Sequence, residues 1–379
     1  MEIPELNTHT IIILSLFAAA ALWQLGYLLR RIRPVAFFKE KDAGTDHTYP
    51  PVSVVISARN EAENLEKFLP EILKQDYPEF QVVVVNDCSE DETSLVLARL
   101  KNQYPHLYYT HIEADKKFSH GKKMPLSLGI KAAKHEHLVL TDADCRPASD
   151  QWLKKMTAPF SSQDTELVLG VGNYQKRKGI NNLWIRYETF TIAIQYMGFA
   201  LNGKPYMGTG RNLAYTKTLF NKTKGFRSHI YLPSGDDDLF IREAANKKNT
   251  AVCIDPGAHT DSVPPESFRK WMNQKQRHLT TSVRYRPDIK FSLFMEPLTR
   301  EIFWLLTLYS LFFPIFVISI LPFSFILLLI KFIFWKMAAG KTGMGRIYWS
   351  MLLFDFLQPF IIVRAHFGNL TRSKKRKWK

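Results

Sequence analysis

Between Thr10 and Leu29 the chain runs for 20 residues without a charged side chain. Wound as an α-helix, such a run is about 30 Å long, the thickness of a bilayer's hydrocarbon core. Arg30, Arg31 and Arg33 follow it directly, and clustered arginines mark the cytoplasmic end of a span. A secretory leader would carry its charges ahead of the apolar run and a small-residue cleavage site behind it; here the charges follow and no clear site does. We therefore expect a membrane anchor with its N-terminus outside. Everything after Arg30 then begins in the cytoplasm, at the plasma (inner) membrane.

Two further apolar stretches come late in the chain. Ile302 to Ile330 carries Pro314 and Pro322, and Ile347 to Val363 carries Asp355, Gln358 and Pro359. A hairpin of about 302–318 and 320–336 keeps Lys336, Lys341, Arg346 and the basic tail (Arg372, Lys374, Lys375, Arg376, Lys377, Lys379) inside, with 347–363 interfacial or re-entrant. One long span plus a second crossing also keeps the tail inside, whereas three crossings would put it outside. The number of crossings stays open. The excess of 51 Lys and Arg over 35 Asp and Glu gives +16. Because the basic clusters flank apolar runs, the expected partner is the anionic lipid bilayer, with no nucleic acid. Cys88, Cys145 and Cys253 are odd in number without C-x-x-C spacing, which indicates neither a disulfide framework nor a zinc site.

A chain of 379 residues has room for one domain of about 200 to 250 residues plus flanks. We expect an anchor and linker over 1–49, an α/β domain over 50–296, and a membrane region with its tail over 297–379. Short β-rich runs at Val52 to Ser57, Gln81 to Val85, Leu107 to His111, His137 to Thr141 and Glu166 to Val171 alternate with helical patterns. Those patterns are Glu61 to Lys74, Asp91 to Gln103 and Lys122 to Lys134. Such alternation predicts a mixed, mainly parallel sheet flanked by helices, with ligands at the carboxyl ends of its strands.

The polar residues fall at those ends. Arg59, Asn60 and Glu61 follow the first run, Asp87 ends the second, and Asp142-Ala143-Asp144 ends the fourth. Taken singly these are ordinary cap or turn residues. Two carboxylates at i and i+2 can also face one crevice and hold Mg²⁺ or Mn²⁺, and such an ion neutralises a departing nucleoside diphosphate. Asp236, Asp237 and Asp238 precede a helical run, where the helix dipole alone favours acids; a carboxylate there can equally accept the proton of an attacking hydroxyl. On a later helix, Gln274 lies beside Arg277 and His278 on one face, and an arginine fork suits a diphosphate.

In this order, the elements resemble glycosyltransferase family 2, inverting enzymes of GT-A fold, over roughly Pro51 to Arg286. The resemblance rests on Ser53 to Leu65, Asn86-Asp87-x-Ser89-x-Asp91 and Gly121-Lys122 with Leu126 and Gly129. It continues through Asp142-x-Asp144, Gly208-Thr-Gly210-Arg211-Asn212-Leu-Ala214, Gly225-Phe226, Asp236 to Leu239 with Arg242, and Gln274-x-x-Arg277. It implies that Glu61 and Asp87 hold the nucleoside, that Lys122 lies near the nucleotide, and that Asp142 helps bind the donor. It further implies that Asp144, with Asp142, ligates the metal, that Asp236 is the base, and that Gln274 and Arg277 border donor and acceptor. Gly210, Arg211, Asn212 and His278 fall on the acceptor side. The implied reaction moves a sugar from a nucleotide sugar, expected to be UDP-linked, to a lipid-linked or glycan acceptor.

Three positions depart from the family's pattern. Asn86-Asp87-Cys88-Ser89 stands for Asp-Asp-Gly-Ser, Gly235 for a Glu, and His278 for the Trp that follows Gln-x-x-Arg in processive synthases. The rival reading is a catalytically silent GT-A-like scaffold that binds anionic lipid or another polyanion; loss of Asp142, Asp144 or Asp236 would favour it, and all three are present.

Overall fold

The computed structural model describes residues 7–40, 49–113, 121–232 and 234–370; the basic cluster at 372–379 lies outside them. A central sheet of seven strands has the order β3-β2-β1-β4-β8-β6-β9. Its parallel half is β1 (Val52–Ala58), β2 (Phe80–Asp87), β3 (Leu107–Ile112) and β4 (His137–Asp142). These are the first four expected strands to within two residues. The inner strands β1, β2 and β4 are buried nearly throughout because helices cover both faces, whereas the edge strand β3 is largely accessible. The fifth expected strand shrinks to β6 (Leu167–Leu169), which pairs antiparallel with β8 (Leu213–Thr216) and parallel with β9 (Thr250–Val252). A small second sheet joins β5 (Cys145–Pro147), β10 (Thr260–Ser262) and β7 (Gly172–Tyr174).

Helix α1 (Thr8–Tyr27), a π-helical turn (Leu28–Ile32) and α2 (Arg33–Ala36) form one unbroken rod. The α/β helices follow: α3 (Ala62–Leu73), α4 (Thr93–Gln103), α5 (Lys123–Ala132), α6 (Trp152–Thr157), α7 (Ile180–Leu201), α8 (Lys217–Lys222), α9 (Asp238–Ala244) and α10 (Phe268–Leu279). Helix α5 sits tightly on the sheet because Gly129 has no side chain; a Cβ there would lie 2.6 Å from Val55 Cγ1. Asn60 and Glu61 do not cap α3 with their side chains. Asp91 does so instead, accepting from the Ala62 amide (3.0 Å) and from the Thr93 amide of α4 (3.1 Å). One carboxylate thereby joins two helix N-termini beside the crevice.

The last helices are α11 (Pro287–Ser310), α12 (Pro314–Lys341) and α13 (Met351–Leu370). The hairpin turns at Leu311–Phe313 rather than between 318 and 320. Pro314 occupies the first turn of α12, where its missing N–H costs nothing, and Pro322 lies inside that helix. Among the described residues, three helical stretches are long and apolar enough to cross a membrane: Thr8–Ala36, Pro314–Lys341 and Gly345–Ala365. Helix α11 passes without a break through 296 and 297.

The N-terminal rod packs closely on α11 and, at its other end, on α7 of the α/β domain. Phe17 stacks on Phe303 of α11 at 5.7 Å, and Gln24 donates to the Glu296 carbonyl and to Thr299, both at 2.9 Å. At the other end, a Cβ on Gly198 of α7 would fall 1.8 Å from the Arg31 carbonyl oxygen, and the Arg31 guanidinium lies 3.7 Å from the Phe199 ring centroid.

Candidate active site

Register brings the predicted strand ends to one edge. Ser57 of β1 pairs with Asp142 of β4, and Ala58 pairs with Asn86 of β2, so Glu61, Asp87 and Asp142 all follow adjacent strands at the same level. Asp87 is fully buried at that edge. Cys88 after it adopts φ 53°, a left-handed backbone that explains why glycine suits this position.

Lys122, just before α5, organises the acids. Its Nζ lies 2.5 Å from Asp142 Oδ1 and 3.4 Å from Asp236 Oδ2. Burial alone would raise the Asp236 carboxyl, but Lys122 and Lys123 outweigh it and hold the group below its usual range. Burial and the neighbouring Asp142 push Asp144 up to about 6, against the pull of Arg211. Glu61 rises to about 7 through burial, with Asp144, Asp142 and Asp91 adding to it and an Asn64 hydrogen bond opposing it. Acids crowded so closely are relieved by a cation.

Asp142, Asp144 and Cys145 offer ligand atoms within 4.8 Å of one another. The two carboxylates fit a hard divalent ion. Cys145 fits it poorly: its sulfur is buried, lies 3.0 Å from Ser262 Oγ, and has its thiol pKa raised by burial and by Asp144.

The three successive aspartates divide their work. Asp237 is the N-cap of α9; one oxygen accepts from the Asp238 amide (2.8 Å) and the other from the Gly210 amide (2.9 Å). Asp238 is buried and accepts from the Leu239 amide, Tyr285 Oη (2.6 Å) and Thr281. Asp236 instead turns toward Lys122. Gly235 before it takes φ 102°, and a Cβ there would stand 2.7 Å from Leu239 Cδ1, so the family's Glu has no room in this backbone.

On the opposite wall, the Arg211 guanidinium packs 4.2 Å from the Tyr174 ring centroid and donates to Thr209 and Ser262. The Tyr174 hydroxyl reaches Gln274 Oε1 of α10 at 3.3 Å. His278 follows on the same helix and is exposed. Asn212 does not face the crevice. It is fully buried, accepts from Trp152 Nε1 (3.0 Å) and donates to the Val171 and Ala258 carbonyls (2.8 and 2.7 Å). The acceptor-side expectation for Asn212 is therefore corrected: its side chain joins β8 to the core and sets the position of Arg211.

Sequence reasoning passed over Lys123, which is buried and donates to the carbonyls of His229 (2.9 Å), Leu232 (2.7 Å) and Ser234 (2.7 Å). It thereby holds the loop that delivers Asp236. Nothing in the local pattern separates it from its neighbour Lys122. Tyr174, Thr281 and Tyr285 were missed as well, since each acts through a partner distant in sequence.

A parallel half-sheet with an Asp-x-Asp turn at its carboxyl edge, continued by an antiparallel half, is the architecture of a glycosyltransferase of GT-A type. A family profile described as glycosyltransferase like family 2 matches residues 50–281, and the chain belongs to that family. Among relatives, it is 32% identical over 146 residues to the glycosyltransferase AglE of Haloferax volcanii, covering 38% of this chain and 46% of that protein. It is 26% identical over 238 residues to the poly(ribitol-phosphate) β-N-acetylglucosaminyltransferase TarS of Staphylococcus aureus, covering 58% of this chain and 39% of TarS. The matches thus span less than half of each of these relatives. The mannosyltransferase PcManGT of Pyrobaculum calidifontis, solved with GDP-Man and Mn²⁺, superposes with a TM-score of 0.62 over 96% of this chain and 99% of its own. At 20% identity this likeness establishes the fold.

Proposed function

We propose that this glycosyltransferase moves a sugar, with inversion, from a nucleoside diphosphate donor to a lipid-linked or glycan acceptor at the cytoplasmic face of the membrane. A UDP-sugar is the proposed donor. The observation that carries the reading is the division among the three aspartates: Asp237 and Asp238 are tied to backbone amides and hydroxyls, while Asp236 faces the Lys122 ammonium in the crevice that holds Asp142 and Asp144. The same convergence argues against the silent-scaffold reading.

In this reading Glu61 and Asp87 line the nucleoside end, and Asp142 and Asp144 hold Mg²⁺ or Mn²⁺. That ion, when bound, offsets the charge of the departing diphosphate. Lys122 sits between donor and base and can hand its charge to a phosphate oxygen as the donor enters, freeing Asp236 to take the acceptor hydroxyl's proton. Arg277 and Gln274 border the donor and acceptor from α10. Gly210 keeps the wall beside Asp236 thin; a Cβ there would lie 3.7 Å from Asp236 Oδ2. His278 offers less stacking surface than a tryptophan, which favours addition of one or a few sugars over long polymer.

The test is Asp236→Asn in the full chain. Donor binding should persist while turnover falls by orders of magnitude, as loss of a positioned base allows. The wild-type product should carry the opposite anomeric configuration to the donor. Full activity in Asp236→Asn, or retained configuration, refutes the assignment.

A further inference from the structure

Beside the segments that hold Asp236 and Asp238 lies a second surface that the proposed chemistry does not use. Tyr231 is 68% exposed, Val283 72%, Phe291 57% and Phe294 63%. They belong to three segments that meet. The Arg284 guanidinium donates to the Tyr231 hydroxyl at 2.6 Å and lies over its ring, while Lys290 Nζ reaches the Val283 carbonyl at 3.5 Å. Phe291 and Phe294 share a face of α11, and Phe291 packs edge-on against Trp23 of the anchor at 5.7 Å. The apolar surface therefore continues directly from the membrane helix onto the catalytic domain. Arg284, Arg286 and Lys290 are exposed along it. Of the nearby acids, Asp288 is engaged by Lys204 and Arg286, and Glu243 by Ser228 and Arg242.

The surface is also tied to the chemistry. Residues 229–235 run from it to Asp236, and Thr281 and Tyr285 flank Val283 and Arg284 while holding Asp238. Exposed aromatic and aliphatic side chains interleaved with cations suit the headgroup layer of an anionic leaflet, where rings sit at the boundary and Lys or Arg meet the lipid phosphates.

We propose that Tyr231, Val283, Phe291 and Phe294, with Arg284 and Lys290, form a membrane-docking lip that dips into the anionic leaflet beside the mouth of the active site. The lip rests on the reading of Thr8–Ala36 as a membrane span. It holds the crevice at the lipid surface, so that an acceptor can enter sideways from the headgroup layer.

The experiment reads the lip without requiring turnover. The full chain carrying Cys88→Ser receives an environment-sensitive fluorophore at Val283→Cys or, in a second protein, at Tyr231→Cys, and is placed in nanodiscs with or without anionic lipid. Leu95→Cys, 70% exposed on α4, serves as the water-exposed control. At both lip positions, quenchers attached to lipid headgroups or upper acyl chains should dim the probe at least about twofold more than at Leu95. Aqueous iodide should act less there. The protection should deepen with anionic lipid and lose that dependence in Arg284→Glu/Lys290→Glu. Iodide quenching equal to that at Leu95 overturns the proposal. So does shielding from both quenchers, which would mean that protein, such as a second copy of the chain, covers the lip. Failure of the Asp236 assignment would leave these readings unchanged.

Discussion

Asp355→Asn should be among the most damaging changes to the membrane-associated helices, although it exchanges one carboxylate oxygen for an amide nitrogen of nearly the same size. Asp355 is 1% exposed and accepts from Lys331 Nζ at 2.6 Å, Trp304 Nε1 at 3.0 Å and Arg300 Nη1 at 3.1 Å. Lys331 and Arg300 are themselves buried, and Glu296 contacts Arg300 at 3.3 Å. Asparagine keeps the shape but not the charge: one oxygen can still accept, the NH2 that replaces the other cannot accept from Trp304, and Lys331 loses its carboxylate partner. An uncompensated buried charge costs about 3–5 kcal/mol. Lys331→Met leaves Asp355 bonded to Arg300 and Trp304, so it should cost only about 1–2 kcal/mol. The double variant restores charge balance and should regain about 2 kcal/mol over Asp355→Asn alone. Thermal unfolding of the full chain in one detergent, compared across the four members of the cycle, measures this ordering. Wild-type stability in Asp355→Asn, or a double variant no better than the two losses added together, would refute the electrostatic account.

Three further outcomes follow from the α/β domain. Cys88→Gly removes a left-handed strain of about 1–2 kcal/mol at the price of a more flexible unfolded chain, for a net gain of roughly 0.5–1 kcal/mol; a loss of stability by denaturant titration would contradict this. His259 is buried, with Nε2 at 2.9 Å from the Ile254 carbonyl, and burial pushes its imidazole down to about 4. Because the folded state resists that proton, its contribution is complete above about pH 6.5 and is lost as pH falls toward 4, by up to about 1.4 kcal/mol per pH unit. His259→Gln should flatten that part of the stability curve, and an unchanged slope would exclude His259 as its source. Finally, Asp144→Ala or metal removal with EDTA should weaken donor binding at least about tenfold, since a divalent ion offsets the diphosphate charge; equal affinity by calorimetry would contradict the assignment.

What the sequence made legible was the parallel half of the sheet. Its inner strands β1, β2 and β4 are mostly apolar and bounded by polar turns, because both their faces are covered; the edge strand β3 is marked by its β-rich Tyr108-Tyr109-Thr110 instead. The three-residue strands β5, β7, β9 and β10 carry no such pattern; pairing with distant partners fixes them, and no window along the chain reports it. The acids at the strand ends were legible as a set because each ends a recognisable run. Asn212 was misplaced for the opposite reason. A motif asparagine beside an arginine reads as a ligand, whereas its buried bonds to Trp152, Val171 and Ala258 depend on elements remote in sequence. The break at Leu311–Phe313 was hidden because Pro322 resembles a helix stop as strongly as Pro314 does, and only Pro314 lies at a turn.

Helix α10 shows why the catalytic domain and the membrane region work as one body. It carries Gln274, Arg277 and His278 toward the crevice, yet Trp271 on its buried face packs edge-on against Trp184 of α7 at 5.9 Å, and Lys275 pairs with Glu188 of the same helix. Trp184 in turn packs on Phe354 of α13 at 5.1 Å, and Gln358 of α13 donates to Thr191 of α7 at 2.9 Å while accepting from Arg300. A contiguous path therefore leads from the buried charge cluster of the long apolar helices to the α10 residues that the proposed function sets beside donor and acceptor. Helix α7 meets the anchor at its far end, where Gly198 admits the Arg31 carbonyl. The position of the α10 wall relative to Asp236 is set by how α7, α13 and the anchor pack together. Packing and buried charge thus tie the position of α10 to that of the long apolar helices.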